Sequence, residues 1–409
     1  MTARRSLLAS MSTGPRELLL ELGVAALAAG RPVHEVESEV RGVAASLGYP
    51  DARVAGTPTG MFISLSPGGS AAFNTVGAPL RFDQAAAVEE LTGALLAKRI
   101  APEAALAAVQ AARAKPPRVS RPVVALAHVP QAAGVALVIQ PTVASVLVTI
   151  VAAFVVAALD LLADRSHLLR TLLPVAAAFG AGCVVFLAAE LGLLEGPLRT
   201  ALAPIAVLLP GALIVTGMSE LAQGAMVAGT ARLAYGTVQL LLITFGVFLA
   251  ARVVGLDPDT LTNVRLDDFG PAALVAGVAL VGVGVFVHLS APPGVLRWML
   301  LGLLATAVVQ ALGQHVGGAA LGGFVGAVTA ALVAAFVHRL PHGPPSLSVF
   351  LPSFWLLVPG SLGVVTATQV ATEGAEGFAT ATAAVAAGLA IALGVLVGSA
   401  AGNALPVRR

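Results

Sequence analysis

LLPGALIVTGMSE, from Leu208 to Glu220, and LLVPGSLGVVTATQ, from Leu356 to Gln369, are two apolar stretches that carry the same interruption. Pro210-Gly211 breaks the first and Pro359-Gly360 the second, 149 positions later. Proline removes a backbone donor and clashes with the preceding helical turn, and glycine is a poor helix former. A chain that breaks two apolar helices in the same way needs a reason for both breaks.

The surrounding sequence says what kind of chain this is. Its 409 residues are 57% hydrophobic and 11% charged, with a mean hydropathy of +0.92. That composition excludes an ordinary soluble domain and indicates a polytopic α-helical membrane protein. The charge is unevenly spread: residues 1–122 hold 13 of the 23 Lys/Arg and 10 of the 21 Asp/Glu. The reading is one soluble domain followed by one membrane domain. A net charge of +2 gives no reason to expect a nucleic-acid partner. The single cysteine, Cys183, lies in an apolar run and is read as packing. Arg4-Arg5 is not followed by the long apolar core of a twin-arginine signal, so the N-terminus is expected to stay in the cytosol.

Residues 1–14 are expected to be disordered and residues 15–116 to form a small α/β domain. Pro15–Gly30 has helical apolar spacing, and the next segment places Val33, Val36, Val40, Val43 and Leu47 on one helix face. Alternation around Thr57–Gly60 predicts a hairpin, with another strand near Ala72–Val76 and helices over 82–99 and 102–114. The polar run His34, Glu35, Glu37 and Glu39 reads as a solvated helix face, since no nucleophile, base and orienter occur together. Residues 117–122, rich in proline and arginine, form a linker before the membrane.

Ten apolar windows are long enough to span a bilayer: 123–140, 142–163, 168–189, 198–217, 230–254, 271–290, 296–313, 318–339, 346–370 and 377–402. With Pro122 inside, Arg165, Arg170, Arg297, Arg339 and Arg408-Arg409 all fall in inner loops, as the positive-inside rule requires. Both termini are then cytoplasmic. Glycines at four-residue spacing (Gly318, Gly322, Gly326 and Gly394, Gly398, Gly402) read as helix packing. Superposing the two Pro-Gly pairs divides the membrane region into residues 123–255 and 271–405, joined by an extracytoplasmic loop at 256–270. Leu208 then meets Leu357, Leu213 meets Leu362, Ser219 meets Thr368 and Glu220 meets Gln369. Five spans per half is an odd number, so the halves form a 5+5 inverted repeat, a plan common among secondary transporters.

With these motifs assembled, the chain resembles the threonine/serine exporter family, ThrE, with both halves fused in one polypeptide. The resemblance rests on LLLELGVAALAAG and GTPTGMFISLS in the soluble part. It continues through LLPGALIVTGMSELAQGAMVAGTARLAYG, FLPSFWLLVPGSLG and ALGVLVGSAAG in the membrane part. It implies a cytoplasmic domain, ten spans and proton-motive-force-driven efflux of threonine, serine or similar small amino acids across a bacterial inner membrane. Split members of the family are associated with succinate export, which leaves a small dicarboxylate as an alternative substrate. Glu220 stands where the family pattern suggests Asp.

The breaks offer a site. Freed backbone groups at Pro210, Gly211, Pro359 and Gly360 face a cavity or protein, because lipid cannot satisfy them. Thr216, Ser219, Ser361, Thr366, Thr368 and Gln369 would add hydroxyl and amide contacts to substrate. Intramembrane ionisable groups are functional candidates by default, so Glu220, Arg232 and Asp160 are the candidates for proton coupling. Glu220 and Arg232 are twelve positions apart and meet only if the chain turns between them. His128 and His288 lack metal-ligand spacing and read as structural. No catalytic residue, cofactor or metal is expected. The expected partners are a small amino-acid substrate and membrane lipids, with a homo-oligomer left open. A membrane receptor or scaffold with a cytoplasmic output domain is the competing class. A membrane hydrolase lacks a Ser-His-Asp, HExxH or paired-acid constellation.

Overall fold

Valines 33, 36, 40 and 43 turn inward on one helix, and the soluble part of the chain is built around that stripe. In the computed structural model, which describes residues 2–256, 265–340, 343–357 and 377–404, the chain falls into two units. The first comprises residues 1–118 with Thr216–Arg232; the second comprises Val119–Val215 with Leu233–Arg409.

The first unit contains helices α1 (Thr2–Ala28) and α2 (Val33–Ser46), strands β1 (Arg53–Thr57), β2 (Gly60–Ser64) and β3 (Ala72–Thr75), and helices α3 (Phe82–Leu96) and α4 (Pro102–Ala114). The strands form an antiparallel sheet in sequence order, with Thr57 paired to Gly60 across a two-residue turn. Met61 and Ile63 point from β2 into a core shared with Leu18, Leu19, Val36, Val40 and Val109. Helix α1 begins at Thr2, so residues 2–14, expected to be a disordered extension, are helical. Alanine, leucine, serine and methionine in that stretch tolerate a helix, and Pro15 lies inside it rather than opening it. Residues 216–232, expected to belong with the membrane spans, group with the first unit because Ala225 and Ala228 pack on its core.

The second unit is a bundle of apolar helices: α5 (Arg121–Leu126), α6 (His128–Ile139), α7 (Val143–Ala163), α8 (His167–Glu190), α9 (Pro197–Ile205), α10 (Gly211–Ala222), α11 (Met226–Val254), α12 (Pro271–His288), α13 (Leu296–His338), α14 (Ser346–Leu356) and α15 (Gly377–Ala404). The ends of α10 and α11 lie in the first unit. Among the described residues, seven stretches are long and apolar enough to cross a membrane, and eight if the bent pair α9–α10 counts as one.

The bundle is apolar on its outside. Helix α7 exposes Val143, Leu147, Val151 and Phe154, while Ser145, Thr149, Ala152, Val156 and Asp160 are buried. Only a hydrocarbon surrounding makes that arrangement favourable, and the chain is a multi-pass membrane protein. The 43 residues of α13 would extend about 65 Å as one helix, twice the bilayer core. Its backbone is non-helical at Gly317 and Gly318, and a Cβ on Gly322 would lie 2.8 Å from the Gln310 carbonyl. Those positions meet only because the chain folds back, so α13 is two antiparallel arms.

Glycine sets the close helix crossings. A Cβ on Gly134 of α6 would lie 2.6 Å from the Gly277 carbonyl of α12, and one on Gly277 would lie 2.8 Å from the Gly134 carbonyl. Gly182 and Gly246 bring α8 against α11, and Gly394 and Gly398 bring α15 against the second arm of α13. Backbones this close exchange dispersion contacts that lipid chains cannot supply.

Candidate functional site

The first Pro-Gly break is a complete interruption. Helix α9 tightens into a 3-10 turn at Ala206–Leu208, Leu209 is extended, and α10 starts at Gly211 after a 67° bend. Pro210 supplies the carbonyl that accepts from Ile214 N–H at 3.0 Å, the first bond of α10. The N–H groups of Gly211, Ala212 and Leu213 therefore open the helix without partners from a preceding turn. These residues line a cavity of about 200 Å³ together with Gln239 of α11 and Phe354 and Trp355 of α14. Sequence reasoning anticipated a carbonyl freed inside a kinked helix; the structure offers a helix N-terminus, which is a donor for anions.

Phe354 and Trp355 immediately precede the second Pro-Gly stretch in sequence. Pro359, Gly360, Ser361, Thr366, Thr368 and Gln369 themselves lie outside the described residues.

Within the first unit, the ends of α10 and α11 form a separate polar cluster. Gly224, at φ +81°, turns the chain between the two helices, and this is the turn that Glu220 and Arg232 require in order to meet. Glu220 is completely buried. Its Oε2 lies 3.0 Å from Arg232 Nε, and its Oε1 accepts from the Val33 N–H at 2.8 Å. Val33 is the first residue of α2, where an anion is favoured by the helix dipole. Arg232 also donates to the Arg31 carbonyl at 3.3 Å, and Arg31 pairs with Glu39. One carboxylate and one guanidinium thus fasten the α1–α2 connection to the α10–α11 turn. Ser219 is buried and its hydroxyl accepts from Gln223 Nε2 at 3.3 Å; Thr216 is half-buried, one turn earlier on α10.

Asp160 stands elsewhere, in the second unit. Arg121 Nη1 lies 2.8 Å from its Oδ2, and Arg121 also reaches Asp164 at 2.6 Å. Asp164, just past the end of α7, has its carboxyl held below the ordinary range by the Arg121 hydrogen bond. The same Oδ2 faces His128 Nε2 at 3.7 Å, and the His128 ring sits 4.7 Å from that of His288. The expected trio of coupling residues is therefore divided: Glu220 and Arg232 are together, and Asp160 keeps different company. Sequence spacing could not find the histidine pair, because 160 positions separate residues that helices α6 and α12 bring into contact.

Among the described residues, no group of three His, Cys, Asp or Glu is arranged to hold a metal ion. The first unit also has an open groove beside Glu21, Arg81, Gln84 and Arg113, but its cations are paired, Arg113 with Glu21 and Arg81 with Asp83.

A family model described as "Putative threonine/serine exporter" matches residues 17–254. No curated protein and no solved structure matches the chain.

Proposed function

Because the chain belongs to the threonine/serine exporter family, we propose that it is a secondary transporter that exports threonine, serine or a similarly small polar amino acid, driven by the proton motive force. The observation that carries this reading is the start of α10 at the wall of the 200 Å³ cavity. Unpartnered N–H groups and the helix dipole suit the substrate carboxylate. The cavity has a volume of about 200 Å³. That is below the range of about 300–1,000 Å³ typical of drug-sized ligands, and it suits a small amino acid. Phe354 and Trp355 close one side with aromatic surface, and Gln239 offers a polar contact.

In this reading the membrane unit is a 5+5 inverted repeat with ten spans in a bacterial inner membrane, both termini and the α/β domain being cytoplasmic. Equivalent pairings support it. Helix α8 packs on α11 as the second arm of α13 packs on α15, and α6 and α12, the first spans of each half, cross at Gly134 and Gly277. The second break at Pro359-Gly360, with Ser361, Thr366, Thr368 and Gln369, would complete the site from the other half. Glu220 and Arg232 would link the cytoplasmic domain to the transport cycle.

The test is efflux from cells loaded with a threonine dipeptide, with serine and succinate run in parallel and with or without a protonophore. Expression should accelerate loss of threonine or serine, and the protonophore should remove the effect. Acceleration of succinate efflux alone would overturn the amino-acid assignment.

A further inference from the structure

We propose that His128, His288 and Asp160 form the proton-carrying site of the membrane unit, and that the site carries one proton. This rests on the reading of the protein as a proton-driven exporter. Three helices that are remote in sequence deliver these groups. Helix α6 begins with His128, α7 carries Asp160 in its last turn, and α12 ends with His288. The His128 side chain is 4% exposed, and its Nδ1 has no hydrogen-bond partner among the described residues. The same holds for His288 Nδ1 and for Oε1 of Gln131, one turn along α6 and 5% exposed. Unmet ring nitrogens beside a carboxylate leave room for a proton to arrive and depart.

The surrounding charges leave the histidines as the exchangeable members. Arg121 of α5 binds Asp160 directly and stays charged at any physiological pH. Asp164, beyond the end of α7, is occupied by Arg121 and by Arg170 of α8. Arg199 of α9 reaches the Ile139 carbonyl, at the far end of α6, and Arg297 of α13 is exposed over Trp298. Arg121 and His128 meet the same oxygen of Asp160, so the carboxylate offsets the guanidinium's repulsion of a proton on the ring. Two imidazoles with ring centres 4.7 Å apart resist charging together, so the pair holds one proton at a time. In the carrier step, His128 takes a proton at Nδ1 and becomes an imidazolium whose Nε2–H faces the charged Asp160; loss of the Nδ1 proton restores the neutral ring. The 3.7 Å separation must close by about 1 Å to make the hydrogen bond that the imidazolium donates.

Two measurements on the full-length protein decide the matter. In proteoliposomes, His128→Gln, His288→Gln and Asp160→Asn are each compared with wild type in threonine exchange, which moves no net proton, and in uphill transport driven by a pH gradient. The expected result is exchange within twofold of wild type and uphill transport reduced at least tenfold for His128→Gln and Asp160→Asn. Uphill transport and a pH profile unchanged in both histidine variants would overturn the assignment, as would their loss in Glu220→Gln alone. The second measurement is nitrogen-15 NMR of labelled histidines in the purified wild-type protein, which needs neither substrate nor variant. One ring of the pair should change its protonation state over the pH range in which the protein transports. Two rings fixed in a single tautomer across that range would refute a carrier role even if transport is seen. A wild-type protein that exchanges no substrate fails as an exporter, and the NMR result then judges the histidine site alone.

Discussion

Glu220 and Asp160 are both buried carboxylates on apolar helices, and each faces an arginine, yet they are built for different work. Glu220 is held on one oxygen by Arg232 and on the other by the backbone of Val33, 187 positions away. Its environment is closed and every contact is a permanent donor. Asp160 shares Arg121 with Asp164, and the oxygen that Arg121 reaches also faces a histidine whose second nitrogen is unmet. An arginine partner makes a fastening; a histidine partner makes a site whose charge can change near neutral pH. What separates a latch from a relay here is the partner, not the carboxylate.

The largest effect expected from breaking this contrast is at the latch. Arg232→Met leaves Glu220 buried without its cation, which costs about 3–5 kcal/mol, because one charge is stranded. The double variant Glu220→Gln with Arg232→Met should recover a good part of that loss, since neutral groups replace both charges. Thermal unfolding in detergent measures both; equal destabilisation of the single and double variants would show that the pair is not the fastening.

A smaller effect is expected at the crossing of α6 and α12. Gly277→Ala places a methyl 2.8 Å from the Gly134 carbonyl, and overpacking of this kind costs about 1–3 kcal/mol. The same scan should register a lower midpoint for Gly277→Ala and no loss for alanine at exposed Gly93, where nothing lies within 4 Å of the added methyl. The smallest effect is at Asp164. Its carboxyl sits below its ordinary value in the folded protein, so its contribution is present above about pH 4 and fades as the pH falls further. Asp164→Asn should remove that acid-side loss while barely altering stability at pH 7. An unchanged acid limb in the variant would contradict the sign.

Local physics was readable in the sequence and long-range geometry was not. Apolar windows, the Pro210-Gly211 break and the valine stripe of α2 each depend on residues within a few turns of one another. The division of α13 was readable as well, because 43 predominantly apolar residues exceed what one crossing can hold. The start of α1 was misjudged because Pro15 looks like a helix opener, although the residues before it also favour a helix. The Glu220–Val33 bond and the His128–His288 contact join segments with no shared periodicity, so no spacing rule could have paired them. Ser219 shows the limit within a single helix: its hydroxyl belonged to the expected substrate contacts, and Gln223 engages it.

The central claim is that the cavity beside the first Pro-Gly break holds the exported amino acid. Trp355→Ala and Gln239→Leu alter its wall without touching the latch or the relay. Threonine exchange by the purified variants in proteoliposomes is the direct test. The account predicts a threonine KM raised at least fivefold in each, with protein yield and thermal midpoint unchanged. Wild-type KM in both variants would place the substrate elsewhere.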